Sequence, residues 1–320
     1  MPAFSPLILR GFPCRVSRIE SVVYASPQGN PLPADIYLPD KEERPLPVIL
    51  WLHGGGWRSG DRRSGPDLAR FFTERGFAMV SIDYRLSDEA VFPAAVEDVK
   101  TAIRWIRSVA GQYGFDPNRI GLWGSSAGGH LAALAALSNP GTFEGPDSEY
   151  AGFSSKVQAV AVGYPVVDFL QLDAHRNAMP PLDIDPRAFT LPPASDSDSF
   201  ESRFLGAPLL SVPHLAAQAN PVEYVKPGAP PFLLLHGTSD GAVPPMQSAL
   251  LFDALAAAGN NTTMLLIDGL GHSFLNRNDW DQGPSRAAEI REARPDEPER
   301  RVPCPPVTFG TIELFFKRHL

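Results

Sequence analysis

The run Arg119-Ile120-Gly121-Leu122-Trp123 passes without a break into Gly124-Ser125-Ser126-Ala127-Gly128-Gly129, and residues 127–137 are small or apolar nearly all the way round. This reads as strand, sharp turn, buried helix. Such a turn strains the backbone at the serine and lifts its hydroxyl out of the sheet. Flanking glycines are needed because a Cβ there would collide with neighbouring chain. The helix N-terminus aims free N–H groups and the positive end of its dipole at the same point. A helix apolar on every side must lie in the interior. The bare pattern Gly-x-Ser-x-Gly is weak, and the chain contains it twice, the second time as Gly237-Thr238-Ser239-Asp240-Gly241. There Val243-Pro244-Pro245 follows in place of a small-residue helix start, so Ser126 is the candidate nucleophile.

Apolar, β-rich runs at 48–53, 78–83, 119–123, 157–162, 232–236 and 264–267 alternate with helical stretches. That is the pattern of an α/β fold, a mostly parallel central sheet with helices on both faces. Pro93 can open a helix in which Val96, Val99, Ile103, Ile106 and Ala110 share one stripe while Glu97, Lys100 and Arg104 face outward. Residues 311–320 read as a terminal helix with Ile312, Phe315 and Phe316 inward. Two stretches break the alternation within what is expected to be a single 1–320 domain. Residues 168–220, rich in Pro, Asp and Ser, are too long for an ordinary connection and are expected to form a lid-like insertion. Residues 281–306 are charged and Pro-containing, and are expected to be a solvated surface insertion.

His53-Gly54-Gly55-Gly56-Trp57 directly follows an apolar strand. Consecutive glycines let bare backbone N–H groups approach a ligand, and donors aimed at a developing oxyanion each lower an acyl-transfer barrier by ~3–4 kcal/mol. The amides of Gly54, Gly55 and Ala127 are the candidate oxyanion hole. No Lys-Ser/Thr phosphate motif follows these glycines, which disfavours a phosphate cradle.

Where a serine sits on such an elbow, the order along the chain is nucleophile, acid, base. Of the seven histidines, His53 and His130 are too early or belong to motifs already assigned. His175 and His214 fall in the Pro-rich excursion, His236 ends a strand, and His319 lies in the terminal helix. His272, in Gly269-Leu270-Gly271-His272-Ser273-Phe274, occupies the slot for the base. The acid must orient that imidazole and stabilise its charged form. Asp240, after an apolar strand, is favoured; Asp168, which also follows a strand, is the rival, and Asp268 is too close in sequence to reach His272 easily.

The formal charge of −8, from 28 basic and 36 acidic residues, lacks the basic footprint that binds phosphate backbones, so no nucleic-acid partner is expected. No apolar run approaches the ~20 residues of a membrane span. The N-terminal stretch has no basic segment ahead of a sustained apolar one, which disfavours a secretory signal and leaves a cytoplasmic location as the working expectation. The two cysteines, Cys14 and Cys304, have no metal-site or redox spacing, and free thiols are preferred over one disulfide.

Taken together, His53-Gly54-Gly55-Gly56-Trp57, Asp83-Tyr84-Arg85-Leu86, the elbow at 124–130, His236-Gly237-Thr238-Ser239-Asp240 and Gly271-His272 resemble a known family. It is the esterases related to hormone-sensitive lipase, and within them the bacterial feruloyl-esterase-like and carboxylesterase-like branch. The resemblance spans about residues 48–274. It implies an α/β-hydrolase fold, Ser126, Asp240 and His272 as a catalytic triad, Gly54, Gly55 and Ala127 as oxyanion donors, and no cofactor or metal. It further implies that Asp83, Tyr84 and Arg85 form a structural brace containing a buried Asp–Arg pair. The expected activity is hydrolysis of small acyl or aryl esters, hydroxycinnamates among them. The same triad cleaves amides and formamides, which is the alternative chemistry. A non-catalytic binding protein is a third reading, disfavoured because such a module has no need of all three residues. Trp57, Tyr164 and Phe274 gather near the inferred centre and are the candidate pocket walls. With a lid over them, acyl chains up to roughly hexanoate are expected to be preferred over long lipids, since each methylene gains ~0.8 kcal/mol only where the pocket has room.

Overall fold

The computed structural model describes residues 15–40, 43–145, 150–179, 191–283, 286–295, 297–304 and 306–320. Among the described residues ten strands form one sheet: β1 Val16–Ala25, β2 Leu32–Pro39, β3 Leu46–Leu52, β4 Ala78–Ile82, β5 Phe115–Ser125, β6 Ala159–Gly163, β7 Phe232–Gly237, β8 Thr262–Ile267, β9 Ala288–Arg294 and β10 Glu297–Cys304. Their spatial order is β1-β2-β4-β3-β5-β6-β7-β8-β9-β10. From β4 to β8 all neighbours are parallel, and the two strands at each edge run antiparallel.

The alternation of side chains explains why the central strands read as unbroken apolar runs. Along β3, Val48, Leu50 and Leu52 face one core while Ile49 and Trp51 face another, and β6 and β7 divide in the same way. A strand buried on both faces has no polar side. The longer helices are α2 (Ala94–Ser108), α4 (Ala127–Leu137), α8 (Met246–Ala257) and α9 (Phe309–His319); the remaining helical pieces are α1 (Leu68–Phe71), α3 (Ala110–Tyr113), α5 (Leu172–Ala178), α6 (Phe200–Leu205) and α7 (Pro213–Gln218). Helix α4 has the predicted bounds and is buried as expected, against β5 and β6 with α2 beside it. Among the described residues no helix is long and apolar enough to cross a membrane.

The chain enters the middle of the sheet at β3, moves outward to β4, then crosses back to β5 and continues in the other direction. That reversal leaves a crevice at the carboxyl ends of β3 and β5, where ligands bind in open α/β sheets. The glycine loop leaves β3 and the serine turn leaves β5 at this point.

Two expectations need correction. The stripe Val96, Val99, Ile103 and Ile106 is buried as predicted, but Lys100 and Arg104 do not face solvent: they are 1% and 2% exposed. Residues 139–144 fold over them. Lys100 Nζ donates to Thr142 O (2.7 Å) and Glu144 Oε1 (3.2 Å), and Arg104 pairs with Glu144. A loop that supplies carbonyls and a carboxylate makes burial of two cations tolerable. The second correction concerns 281–306. Instead of a simple solvated insertion, most of it forms the hairpin β9–β10, in register from Arg291↔Arg301 to Ala288↔Cys304, and β9 extends the sheet from β8. Its charged side chains pair across strands, as Arg291 does with Glu299 at 2.8 Å, so the charge density that suggested a loop suits an exposed edge. Cys14 and the Cys304 side chain lie outside the described residues.

Between β6 and β7 the described parts of 168–220 form α5 to α7 and two 3-10 turns, with Phe169, Leu172, Phe204, Leu205 and Leu209 joined to the main core. Residues 180–190 lie outside the described set.

Candidate active site

Ser126 sits between β5 and α4 at φ 54° and ψ −122°, a conformation few non-glycine residues adopt. The surroundings hold it there: Ser126 N–H donates to Gly163 O at 2.9 Å, and Ser126 O accepts from His130 N–H at 2.9 Å. The close crossing explains the glycines. A Cβ on Gly124 would stand 2.4 Å from Gly128 O, and one on Gly128 would stand 2.1 Å from Leu52 O.

His272, on the loop after β8, places Nε2 2.9 Å from Ser126 Oγ and Nδ1 2.7 Å from Asp240 Oδ2. A carboxylate can only accept, so Nδ1 carries the hydrogen and Nε2 turns a lone pair to the serine hydroxyl. The His272 side chain is 19% exposed and Asp240 0%. Burial alone would raise the Asp240 carboxyl, but the charge and hydrogen bonds of His272 and His236 overcome it and hold the group well below the usual carboxylate range. Its other oxygen, Oδ1, accepts from Ala242 N (3.1 Å) and Val243 N (2.9 Å). Asp168 instead caps the turn Phe169–Gln171, accepting from Leu170 N and Gln171 Nε2. Asp268 accepts from Thr238 Oγ1 at 3.3 Å.

The glycine loop lies against the nucleophile, for a Cβ on Gly54 would be 3.3 Å from Ser126 Cβ. His53 Nδ1 binds the Gly54 carbonyl at 2.7 Å. In a trans peptide the Gly55 N–H therefore points the opposite way. The amides of Gly54 and Gly55 donate to no backbone carbonyl among the described residues, and that of Ala127, the first residue of α4, has no partner within its helix. Tyr84 of the expected brace and two side chains outside the expected set, His53 and His130, fix this loop. Tyr84 stacks on His53 at 4.3 Å and donates to His53 O at 2.8 Å. His130 Nδ1 accepts from Trp57 Nε1 at 3.2 Å, and its Nε2–H donates to Ala219 O at 2.7 Å. Burial lowers the His130 pKa to about 4, so the ring is neutral. Only the position of His130 in the elbow motif hinted at such a role.

The expected pocket walls are elsewhere. Trp57, Tyr164 and Phe274 are all buried. Trp57 packs on Phe204, Phe169 and His130 behind the glycine loop; Tyr164 lies against the His272 ring at 4.6 Å; and Phe274 sits between Tyr164 and Trp280. An aromatic at a strand end is as suited to sealing the core as to facing a ligand, and sequence does not separate the two. Ser125 and Asn276 were missed: Ser125 Oγ donates to Asn276 Oδ1 at 3.2 Å, tying the base loop to the elbow.

The brace is also rearranged. Asp83 and Arg85 do not pair with each other. Arg62 binds Asp83 and the buried Asp35, each at 2.8 Å, and Arg85 binds Asp98 at 2.7 Å. Each of the two charges finds its partner on another part of the chain, Asp83 on the loop after β3 and Arg85 on α2.

The BD-FAE family profile matches residues 34–255. The chain belongs to the BD-FAE family. Its sheet and elbow are those of the α/β-hydrolase fold. Among curated proteins, the esterase LipQ of Mycobacterium tuberculosis is 36% identical over 220 residues, covering 68% of this chain and 48% of that protein. The chain thus spans about half the length of the curated relatives it matches. Among solved structures, a truncated carbohydrate esterase from gut microbiota is 28% identical with a TM-score of 0.71, covering 85% of this chain and 93% of that one. A thermophilic esterase of Thermogutta terrifontis, Est2, bound to propionate, is 26% identical with a TM-score of 0.62, covering 82% and 86%.

Proposed function

We propose that this protein is a serine carboxylesterase that cleaves short-chain acyl or aryl esters through an acyl-enzyme. The observation that carries the reading is the unbroken line from Ser126 Oγ through His272 to Asp240, at 2.9 and 2.7 Å. In this reading His272 Nε2 takes the hydroxyl proton as Ser126 Oγ attacks the ester carbonyl, and the buried Asp240 carboxylate stabilises the imidazolium that results. The amides of Gly54, Gly55 and Ala127 receive the oxyanion. Collapse of the tetrahedral intermediate expels the alcohol, protonated by His272, and water then releases the acid by the same steps.

Esterase relatives over most of this chain support the reaction class. Short acyl groups are supported by Est2 structures bound to propionate and butyrate. They are supported also by the 168–220 segment, which reaches both loops of the site: the Phe200 ring lies so close to Gly56 that a Cβ there would be 2.7 Å away, and Arg176 Nε donates to Ala242 O at 2.9 Å. As a lid, that segment would limit the length of acyl chain admitted.

The test is a panel of p-nitrophenyl esters from acetate to palmitate, hydroxycinnamate esters, anilides and N-formyl aromatics. Efficiency should peak at or below about six carbons, and Ser126→Ala should abolish turnover while Ser239→Ala stays near wild type. Paraoxon should leave one diethylphosphoryl group on the peptide containing Ser126. Efficiency rising steadily through long chains would overturn the substrate assignment, and a label on another serine would overturn the nucleophile.

A further inference from the structure

Asp240 is held by more donors than orienting one imidazole requires, and one of them belongs to a second histidine. His236 is the penultimate residue of β7, four residues before the acid, and is wholly buried. Its Nε2 lies 2.7 Å from Val243 O and 3.4 Å from Asp240 Oδ2, the same oxygen that accepts from His272 Nδ1. A carbonyl oxygen can only accept, so Nε2 carries a hydrogen whichever charge state the ring adopts. That hydrogen is directed to the Val243 carbonyl, and the carboxylate oxygen lies beside it at 3.4 Å. On the opposite edge Nδ1 meets Ser248 Oγ of α8 at 2.7 Å, which prevents the ring from turning. The titratable groups facing Asp240 are then His272 from the loop after β8, His236 from β7 and Tyr164 from the end of β6, whose ring is 6.4 Å from that of His236.

We propose that His236 is a positioning residue, whose Nε2–H pins Asp240 Oδ2 from a second direction so that His272 is held with Nε2 toward Ser126. The proposal rests on the reading of Asp240 as the acid of the triad. It gives work to a histidine that otherwise serves only to join β7 to α8. A carboxylate held by the Ala242 and Val243 amides on one oxygen, and on the other by His272 with His236 alongside, has little freedom to rotate. The His272–Ser126 distance then depends on where that carboxylate is anchored.

Two amide substitutions separate the edges of the ring. In His236→Gln the side-chain amide reaches the place of Nε2; in His236→Asn it reaches only the place of Nδ1. Each is compared with Ser248→Ala and Asp240→Asn for kcat and KM on p-nitrophenyl acetate, for thermal midpoint, and for the downfield proton resonance of His272 Nδ1–H. His236→Asn should lower kcat about 10- to 100-fold, the scale of a small misplacement at a reacting centre, with KM within about twofold, and should weaken or shift the resonance. His236→Gln should recover most of both, and Ser248→Ala should stay within about threefold of wild type. Equal kcat in the Gln and Asn variants overturns the proposal, as does an unaltered resonance in His236→Asn or a loss in Ser248→Ala matching that of His236→Asn. Wild-type activity in Asp240→Asn would instead remove the triad assignment itself, so the two failures are distinguishable.

Discussion

At the scale of single residues, the site depends on imidazoles in different roles. His272 is partly open to solvent, whereas His130 must remain neutral to accept from Trp57 Nε1 while donating to Ala219 O. Its pKa of about 4 lies below the ordinary histidine value near 6.5. The folded state therefore binds fewer protons here than the unfolded one as pH falls. The stability linked to His130 is intact above about pH 6.5 and declines toward pH 4, by on the order of 3 kcal/mol across the window. His130→Gln, which can offer both an acceptor and a donor, should flatten the dependence of urea stability on pH between 6.5 and 4. An unchanged slope would show that other groups carry the acid sensitivity. Ser126, His272 and Asp240 were legible in the sequence because chain order and the flanking strands restrict each choice. His236 was legible as a strand-end histidine only: its place beside Asp240 arises from the turn that folds Val243 back onto the ring, and no periodicity encodes that.

Among the elements, those buried on both faces were the easiest to read. The central strands and α4 have compositions that admit one environment, so their places follow from hydrophobic patterning. The edges did not show themselves in this way, since β1, β9 and β10 mix charged and apolar residues as a loop does. Helix α2 fell between these cases. Its apolar stripe was correct, and the reversal of Lys100 and Arg104 came from a loop 40 to 44 residues downstream, a tertiary contact that helical spacing cannot reveal. Burial and the nearby Arg104 cation lower the Lys100 pKa to about 8, despite the Glu144 carboxylate. The sign follows from linkage. Between about pH 8 and the ordinary lysine value near 10.4, the unfolded chain binds the extra proton, so the folded state gains from Lys100 as pH rises. The thermal midpoint of the wild type relative to Lys100→Met should therefore climb from pH 8 to pH 10. A constant difference would place the charge in a more solvated setting than its burial indicates.

For the molecule as a whole, the sheet distributes the work of the site over strands far apart in sequence. The glycine loop leaves β3 and continues to Arg62, whose guanidinium binds Asp35 of β2, Asp83 beyond β4 and Ser21 of β1. Tyr24 of β1 donates to Asp83 O at 2.7 Å, closing the same corner. The antiparallel edge β1–β2 is thus the outer support of the glycine loop, although it contributes none of Ser126, Asp240 and His272. Edge strands are among the first parts of a fold to open, in excursions well short of global unfolding. If β1 and β2 detach, Arg62 loses partners from both strands while the tryptophans of β3 and β5 stay enclosed. Rising urea should then abolish ester turnover at a lower concentration than it changes tryptophan fluorescence, and amide exchange should be faster in β1 than in β3. Coincident transitions would mean that edge and centre melt together. Resistance to denaturants in this protein would accordingly be set by how firmly its first two strands hold the sheet, and their amide protection would forecast how long the proposed activity survives.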